Sequence, residues 1–305
     1  MLLHQLLRQF DPQIDLAGIA NIEVFGVQED SRQVRTGDLF VARPGTQTDG
    51  VRFVTDAHAR GAVAVLTRQR VGGLVLPQVV IADPGAPSAL ANSFHGHPSA
   101  KMKVLGVTGT NGKTTTTWLL RHVLGKCGLR CGLVGTVELD DGRTSHPAAM
   151  TTPGPVELAE LLASMVEKEC EACAMEASSH ALHQRRAAGV RFAGAGFTNL
   201  SGDHLDYHGN MQDYAASKKM LFDSLAPDAV ACVNADDAQS HLMVRDCKAR
   251  IIRFAMQTTA DYRAADIAVT AQGSRFILQT PDGRAEVAMQ LIGRHNIENA
   301  LCAAS

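Results

Sequence analysis

The stretch Gly109-Thr110-Asn111-Gly112-Lys113-Thr114, followed by Thr115, Thr116 and Thr117, joins residue types that suit one chemistry. Two glycines permit a tight turn whose backbone N–H groups curl around an anion. A lysine supplies positive charge, and a threonine hydroxyl follows it. An apolar run from Lys103 precedes the turn and a helix-forming run follows, so the pattern reads as a loop holding a polyphosphate at a helix N-terminus. Lys113 would reach the β and γ phosphates, and Thr114 would place its hydroxyl on Mg2+. The general G-x-x-x-x-G-K-[ST] spacing is not met, since its first glycine would fall on Val107. The loop alone leaves switch, motor, kinase and ligase open.

A loop of this kind needs a parallel sheet behind it. From Lys103 onward strand-like and helix-like runs alternate, which predicts an α/β domain with a mostly parallel sheet covered on both faces. The strands are "KVLGVTG", "CGLVGTV", "ACAMEAS", "AGAGFTNL" and "AVACVNAD". The helices between and after them are "TTTTWLLRHVLGKCG", "GPVELAELLASMVEKEC", "MQDYAASKKMLFDSL" and "DAQSHLMVRDC". From Asp266 to Gln290, "PDG" between alternating runs predicts a hairpin. Before Pro98 a smaller α/β unit is expected, with strands "GDLFVA", "GAVAVLT" and "QVVIA", a helix end capped by Gly61, and a helix in "DPGAPSALANSFHGHPS". The expected domains are therefore residues 1–97 and 98–305. The opening "MLLHQLLRQF" reads as an amphipathic surface helix rather than a signal peptide.

Composition narrows the field. The 305 residues suit about two domains. Lys and Arg total 29 against 31 Asp and Glu, which gives no reason to expect nucleic acid or an anionic membrane as partner. No apolar run approaches the roughly 18 residues of a membrane span. Seven cysteines, an odd number, argue for reduced thiols in a cytoplasm. Cys170 and Cys173 form a C-x-x-C pair with no second pair nearby, and read as small core residues.

In parallel sheets ligands gather outside the carboxyl ends of the strands. There the sequence sets Glu176 with "ASSH", then "SGDHLDYHG" after "FTNL", then "ADD" after "ACVN". Glu176 could hold Mg2+ or cap a helix. His204 and His208 have i, i+4 spacing, but Asp206 and Gly209 predict a loop there rather than a helical zinc pair.

"GTNGKTTT", "MEASSHALHQRR", "FTNLSGDHLDYHG", "YAASKKMLF", "NADD" and "GRHNIENAL", in that order, resemble the Mur ligases of peptidoglycan synthesis. "DSRQVRTGDLFVARPG" is similar to the amino-terminal domain shared by the ligases that add the third residue and the terminal dipeptide. "DHLDYHG" followed by "YAASK" resembles the third-residue branch. The resemblance implies an amino-terminal UDP-sugar-binding domain and a central ATP-binding domain. It implies contacts to the UDP-sugar at Glu29, Ser31, Thr46, Gln47 and Thr48, and further substrate contacts at Thr151, Thr152, Ser178, Gln184 and Arg186. Gly109 through Thr115 would bind ATP, with His295, Asn296 and Asn299 on the adenine side. Thr114, Glu176, His204 and Lys218 would organise Mg2+, Lys218 as a carbamylated lysine, while Lys219 reads as a solvated neighbour.

The reaction implied is ATP-dependent amide bond formation. The D-glutamate carboxylate of UDP-N-acetylmuramoyl-L-alanyl-D-glutamate takes the γ-phosphoryl group. The amine of meso-diaminopimelate or L-lysine then attacks the acyl phosphate. Lys113, Glu176, His204 and Lys218 are the catalytic set, in a cytoplasmic monomer. The family carries a third domain beyond the "HNIEN" helix, so an incomplete sequence is expected, with "LCAAS" frayed for want of a partner. The sister ligase adding D-alanyl-D-alanine and a non-catalytic nucleotide-binding module are the competing readings.

Overall fold

The computed structural model describes residues 1–305 apart from Thr46 and Gln47. The chain divides into two compact units. Met1–Pro98, Gly154–Ala163 and Gln184–Val190 form the first, and Ser99–Pro153, Ser164–His183 and Arg191–Ser305 the second. Two later segments thus pack with the first unit, although they lie in the range expected for the second domain.

In the first unit α1 (Leu3–Phe10) places Leu3, Leu6 and Leu7 on one fully buried face, the i, i+3, i+4 stripe of an amphipathic helix. Four short strands follow in the sheet order β1 (Gly26–Gln28), β2 (Asp38–Val41), β3 (Ala64–Thr67) and β4 (Gln78–Val80), all parallel. Helix α2 (Val54–Ala59) makes the crossover from β2 to β3, and α3 (Ala86–Phe94) follows β4. Alternation along β2 sends Leu39 and Val41 into a core with α1 and Leu90, and Phe40 into the opposite core with Val54 and Ala57. Gly61 takes φ +108° past the end of α2, the left-handed turn that its position predicts.

The second unit begins with β5 (Lys103–Thr108), α4 (Lys113–Lys126), β6 (Cys131–Val134), β7 (Glu138–Asp140) and β8 (Ser145–Pro147). Then come α5 (Pro155–Glu167), whose residues up to Ala163 belong to the first unit, β9 (Ala172–Glu176), α6 (Ser179–His183) and β10 (Phe192–Phe197). The chain continues through α7 (Leu205–His208), α8 (Met211–Asp223), β11 (Val230–Asn234), α9 (Ser240–Met243) and β12 (Arg250–Ala255). It ends with β13 (Tyr262–Thr270), β14 (Gly273–Thr280), β15 (Gly283–Met289) and α10 (Arg294–Ala304). The eleven strands lie in the order β15-β14-β13-β12-β11-β10-β5-β9-β6-β7-β8. From β6 to β13 every neighbouring pair is parallel, and both flanks are antiparallel. Strands buried on both faces read as apolar runs, as in β9, where all five residues are buried and the four before Glu176 are apolar. The order reverses around β5, whose neighbours β9 and β10 carry the chain on to opposite sides. The crevice at that switch point is where an open α/β sheet accepts a ligand.

Four expectations need correction. The run "DAQSHLMVRDC" yields only the single turn of α9, because Asp237 takes up the backbone N–H of Leu200 and Gln239 instead of starting a longer helix. "HLDYH" is one helical turn, α7, rather than loop alone. The hairpin expected over 266–290 is the second half of a three-stranded meander that begins at Tyr262. Finally, the last helix has partners. Leu301 is 0% exposed and Cys302 5%, packed with Phe254, Phe276 and Ile297. Among the described residues no helix is long and apolar enough to cross a membrane.

Because Leu301 is fully enclosed, Leu301→Ala is expected to destabilise the second unit by about 2–5 kcal/mol. Ile292→Ala, at a half-exposed position, should cost no more than about 0.5 kcal/mol. Urea unfolding followed by fluorescence of Trp118, the single tryptophan, on α4, reads both. Equal midpoints for the two variants would show that the helix end contributes nothing.

Candidate functional site

Four residues separate β5 from α4, and two glycines make that turn possible. Gly109 has φ +148° and Gly112 φ +88°, and neither has room for a side chain. A Cβ on Gly109 would lie 2.0 Å from Thr198 Oγ1, and one on Gly112 2.2 Å from Asn299 Oδ1. The turn is tied to the end of β10. Thr110 N donates to Asn199 O (2.8 Å), Asn111 N donates to Asn199 Oδ1 (3.0 Å), and Thr198 Oγ1 donates to Asn111 O (2.6 Å). Thr115 sits half-buried in the first turn of α4.

Two lysines meet at this turn. Lys113 Nζ donates to the carbonyls of Gly109 (2.9 Å) and Thr110 (2.8 Å). Lys218, 1% exposed on α8, donates from Nζ to the same Gly109 carbonyl at 2.8 Å and lies 4.3 Å from the centre of the Tyr214 ring. Burial pushes the Lys113 ammonium below its ordinary pKa, against the pull of Glu176 and Asp203. Lys218 falls further, to about 7, first through burial and then through the charge of Lys113, with Asp203 opposing. Lys219 departs from expectation. It is 8% exposed, and its ammonium pairs with Asp223 one turn on and with Asp246 at 2.7 Å.

Glu176 closes β9 with its side chain fully buried. Its carboxylate accepts from Thr114 Oγ1 (3.0 Å), Thr136 N (2.9 Å) and Thr136 Oγ1 (3.1 Å). Thr136 Oγ1 also reaches Thr151 Oγ1 (3.0 Å). Thr152 Oγ1 donates to the Glu176 carbonyl (2.7 Å) and stands 3.3 Å from Ser178 Oγ. The fold thus brings Thr114, Thr151, Thr152, Glu176 and Ser178 into one polar network.

His204 lies beyond β10 in the left-handed region (φ 51°), with Asp203 Oδ2 3.6 Å from its Nε2 and its ring edge-on to His180. Beside it is a residue the sequence did not single out for the site. His208, 7% exposed, bonds Ser179 Oγ through Nε2 (3.0 Å) and Ser217 Oγ through Nδ1 (3.3 Å), linking α6 to α8 next to Lys218. Burial, then His180 and His183, press its pKa down to about 4. Thr136, Asn199 and Tyr214 were missed too, since each acts through a partner far away in sequence. Among the described residues no group of three or more His, Cys, Asp or Glu forms a metal-ligating cluster. Cys170 and Cys173 are core residues, 5% and 0% exposed.

At the end of β11, Asn234 Nδ2 donates to Thr198 O (2.9 Å), while Asp236 turns away and accepts from the N–H groups of Met256, Gln257 and Thr258. On α10, Asn299 is 4% exposed and accepts from Thr116 Oγ1 (3.4 Å), and its amide reaches Asn296 Oδ1 (3.3 Å). Asn296 donates to Ile292 O (2.9 Å), and His295 is exposed. Asn299 therefore buttresses the glycine turn from behind.

In the first unit Glu29 pairs with Arg43 Nε (2.6 Å) and accepts from Val156 N (3.3 Å). Ser31 is 8% exposed and Thr48 is exposed. Gln184 Oε1 accepts from Arg186 Nε (2.9 Å) and Nη2 (2.7 Å). Thr46 and Gln47 lie outside the described residues.

Known proteins resemble this chain in sequence and in fold. Residues 107–305 match the Mur ligase middle domain, and residues 23–83 match the model described as Mur ligase family, catalytic domain. A UDP-N-acetylmuramoyl-L-alanyl-D-glutamate--2,6-diaminopimelate ligase of Geobacillus kaustophilus is 40% identical over 93% of this chain and 60% of its own length. One of Geobacter sulfurreducens is 40% identical over 99% of this chain and 61% of its own. A solved structure of the same ligase type superposes with a TM-score of 0.82 at 29% identity, over 97% of this chain and 62% of that one. The D-alanyl-D-alanyl ligase of Acinetobacter baumannii shares the fold at a TM-score of 0.67 and 23% identity, over 98% and 63%. The chain spans about 60% of the length of these curated relatives. With its middle-domain match covering residues 107–305, the chain belongs to the Mur ligase family.

Proposed function

We propose that this chain is the substrate- and nucleotide-binding part of an ATP-dependent ligase that adds meso-diaminopimelate to UDP-N-acetylmuramoyl-L-alanyl-D-glutamate in the bacterial cytoplasm. The observation that carries the reading is the meeting of Lys113, the Thr114–Glu176 pair and the buried amine of Lys218 at the carboxyl ends of β5 and β9. The names of the relatives at 40% identity support diaminopimelate over lysine as the third residue.

In this reading the substrate's D-glutamate carboxylate attacks the γ-phosphorus of ATP, and ADP leaves. Lys113 stabilises the charge on the transferring group. The amino acid's amine then attacks the acyl phosphate carbonyl and phosphate departs. Glu29, Ser31, Thr46, Gln47 and Thr48 in the first unit and Thr151, Thr152, Ser178, Gln184 and Arg186 are the proposed substrate contacts. Arg186 suits an anion through its forked guanidinium. His295, Asn296 and Asn299 are proposed for the adenine side, Asn299 by fixing the turn.

The donors fit Mg2+ in part. Thr114 and Glu176 offer hard oxygen atoms, which suit that ion, whereas an ammonium at Lys218 repels it. Lys218 fits once it carries a carboxylate, and a buried amine near neutrality can take up CO2 to make one. Thr114, Glu176, His204 and carbamylated Lys218 would then hold the ion, which supplies neutralisation of phosphate charge when bound.

Three outcomes are expected. Lys113→Ala should weaken Mg-ATP binding about 10- to 150-fold, the worth of one charged hydrogen bond, by calorimetry. Unchanged affinity would remove the loop from nucleotide binding. Carbamate on Lys218 should grow as pH rises through about 7, because the lowered pKa leaves the amine neutral above that point and protonated below it. A 13C-bicarbonate NMR signal that is absent in Lys218→Ala reads this, and no signal at pH 8 would refute it. Labelled meso-diaminopimelate, and not D-alanyl-D-alanine, should enter a UDP-linked tripeptide made by the protein. Incorporation of the dipeptide instead would make it the sister ligase.

A further inference from the structure

We propose that the hydroxyl of Thr108 is the protein donor that receives the carboxylate formed on Lys218. The inference rests on the reading of Lys218 as a carbamylated residue.

Thr108 is the last residue of β5 and is 0% exposed. Its Oγ1 is buried with no hydrogen-bond partner among the described residues, an arrangement that native interiors rarely tolerate. Its own carbonyl is already engaged by Thr198 N (3.1 Å) and Oγ1 (3.4 Å). The direction of the side chain follows from the strand. A Cβ built on Gly106 would meet Leu221 Cδ1 at 3.3 Å, so that face of β5 looks toward α8. Thr108 is two residues on and shares the face. Leu221 and Lys218 are three apart on α8 and share its inward face. The Lys218 Nζ, 2.8 Å from Gly109 O, stands level with the residue that follows Thr108. The unpaired hydroxyl and the buried amine therefore line the same wall. The other hydroxyl near that amine, on Tyr214, is 3.2 Å from Thr110 Oγ1 and is already used.

The chemistry needs such a donor. The neutral amine attacks the carbon of CO2. An N–C bond forms, one C–O π bond opens onto oxygen, and one N–H proton passes to solvent. The carbamate keeps an N–H for the Gly109 carbonyl and gains two acceptor oxygens. Thr108 has a proton to give and no other taker, so it holds the modified side chain in one orientation. It is a positioning residue acting through Lys218.

The test measures CO2 uptake rather than turnover. Thr108→Val keeps the shape and removes the hydroxyl, and Thr108→Ser keeps the hydroxyl and removes the methyl. Each 305-residue variant is titrated with 13C-bicarbonate at pH 8 and the Lys218 carbamate followed by NMR. Thr108→Val should need about tenfold more bicarbonate for half occupancy, the worth of one hydrogen bond to a charged group. Thr108→Ser should stay near the parent. In CO2-free buffer Thr108→Val should melt no lower than the parent, since it removes an unpaired buried hydroxyl. Parental uptake in Thr108→Val overturns the proposal. So does a Thr108→Val protein that melts lower in CO2-free buffer, which would mark a structural role. Absence of any carbamate in the parent refutes the Lys218 reading itself, a separate failure.

Discussion

Two ammonium groups, that of half-buried Lys113 and that of fully buried Lys218, share one carbonyl oxygen, that of Gly109, and the turn between β5 and α4 is arranged around that fact. Like charges this close repel, and burial strengthens the repulsion. Asp203 supports the charge of both, but Lys113 has Glu176 as well, whereas Lys218 is the more deeply enclosed and feels the charge of Lys113, so its pKa falls further, to about 7. The asymmetry is built by topology. β5 delivers the carbonyl, α4 brings one lysine back onto its own turn, and α8 brings the other from 109 residues away. Glu176 arrives from β9 already held by two threonines. The two lysines thus differ in how strongly each holds its proton.

The parts legible in the sequence were those with local causes. The glycine turn announced itself because only glycine accepts those dihedral angles and those contacts, and the buried strands because a strand covered on both faces must be apolar throughout. What the sequence hid was non-local. His208 looked like half of a spacing pattern and proves to be a clasp between two helices, since Ser179 lies 29 residues before it and Ser217 nine after. Lys219 looked solvated because Asp246, one of its two partners, comes from beyond another strand. "LCAAS" looked unsupported because its partners are distant in sequence, Phe254 in β12 and Phe276 in the meander that the sequence showed only in part. The short antiparallel strands β7 and β8 offered too few residues for a period to show.

The support of the glycine turn by α10 has a consequence for how the molecule is made. Thr116 and Asn299, which meet behind the turn, are 183 residues apart. A contact of that separation must await synthesis of nearly the whole unit, and chains emerge at about 5–20 residues per second. The glycine loop is therefore translated many seconds before the helix that backs it. Until Asn299 appears, Gly112 has nothing behind it and the sheet has an open face where Leu301 will lie. During that interval the nascent chain carries the loop's sequence without its shape. The support that α10 gives the turn is therefore one of the late contacts of this unit to form.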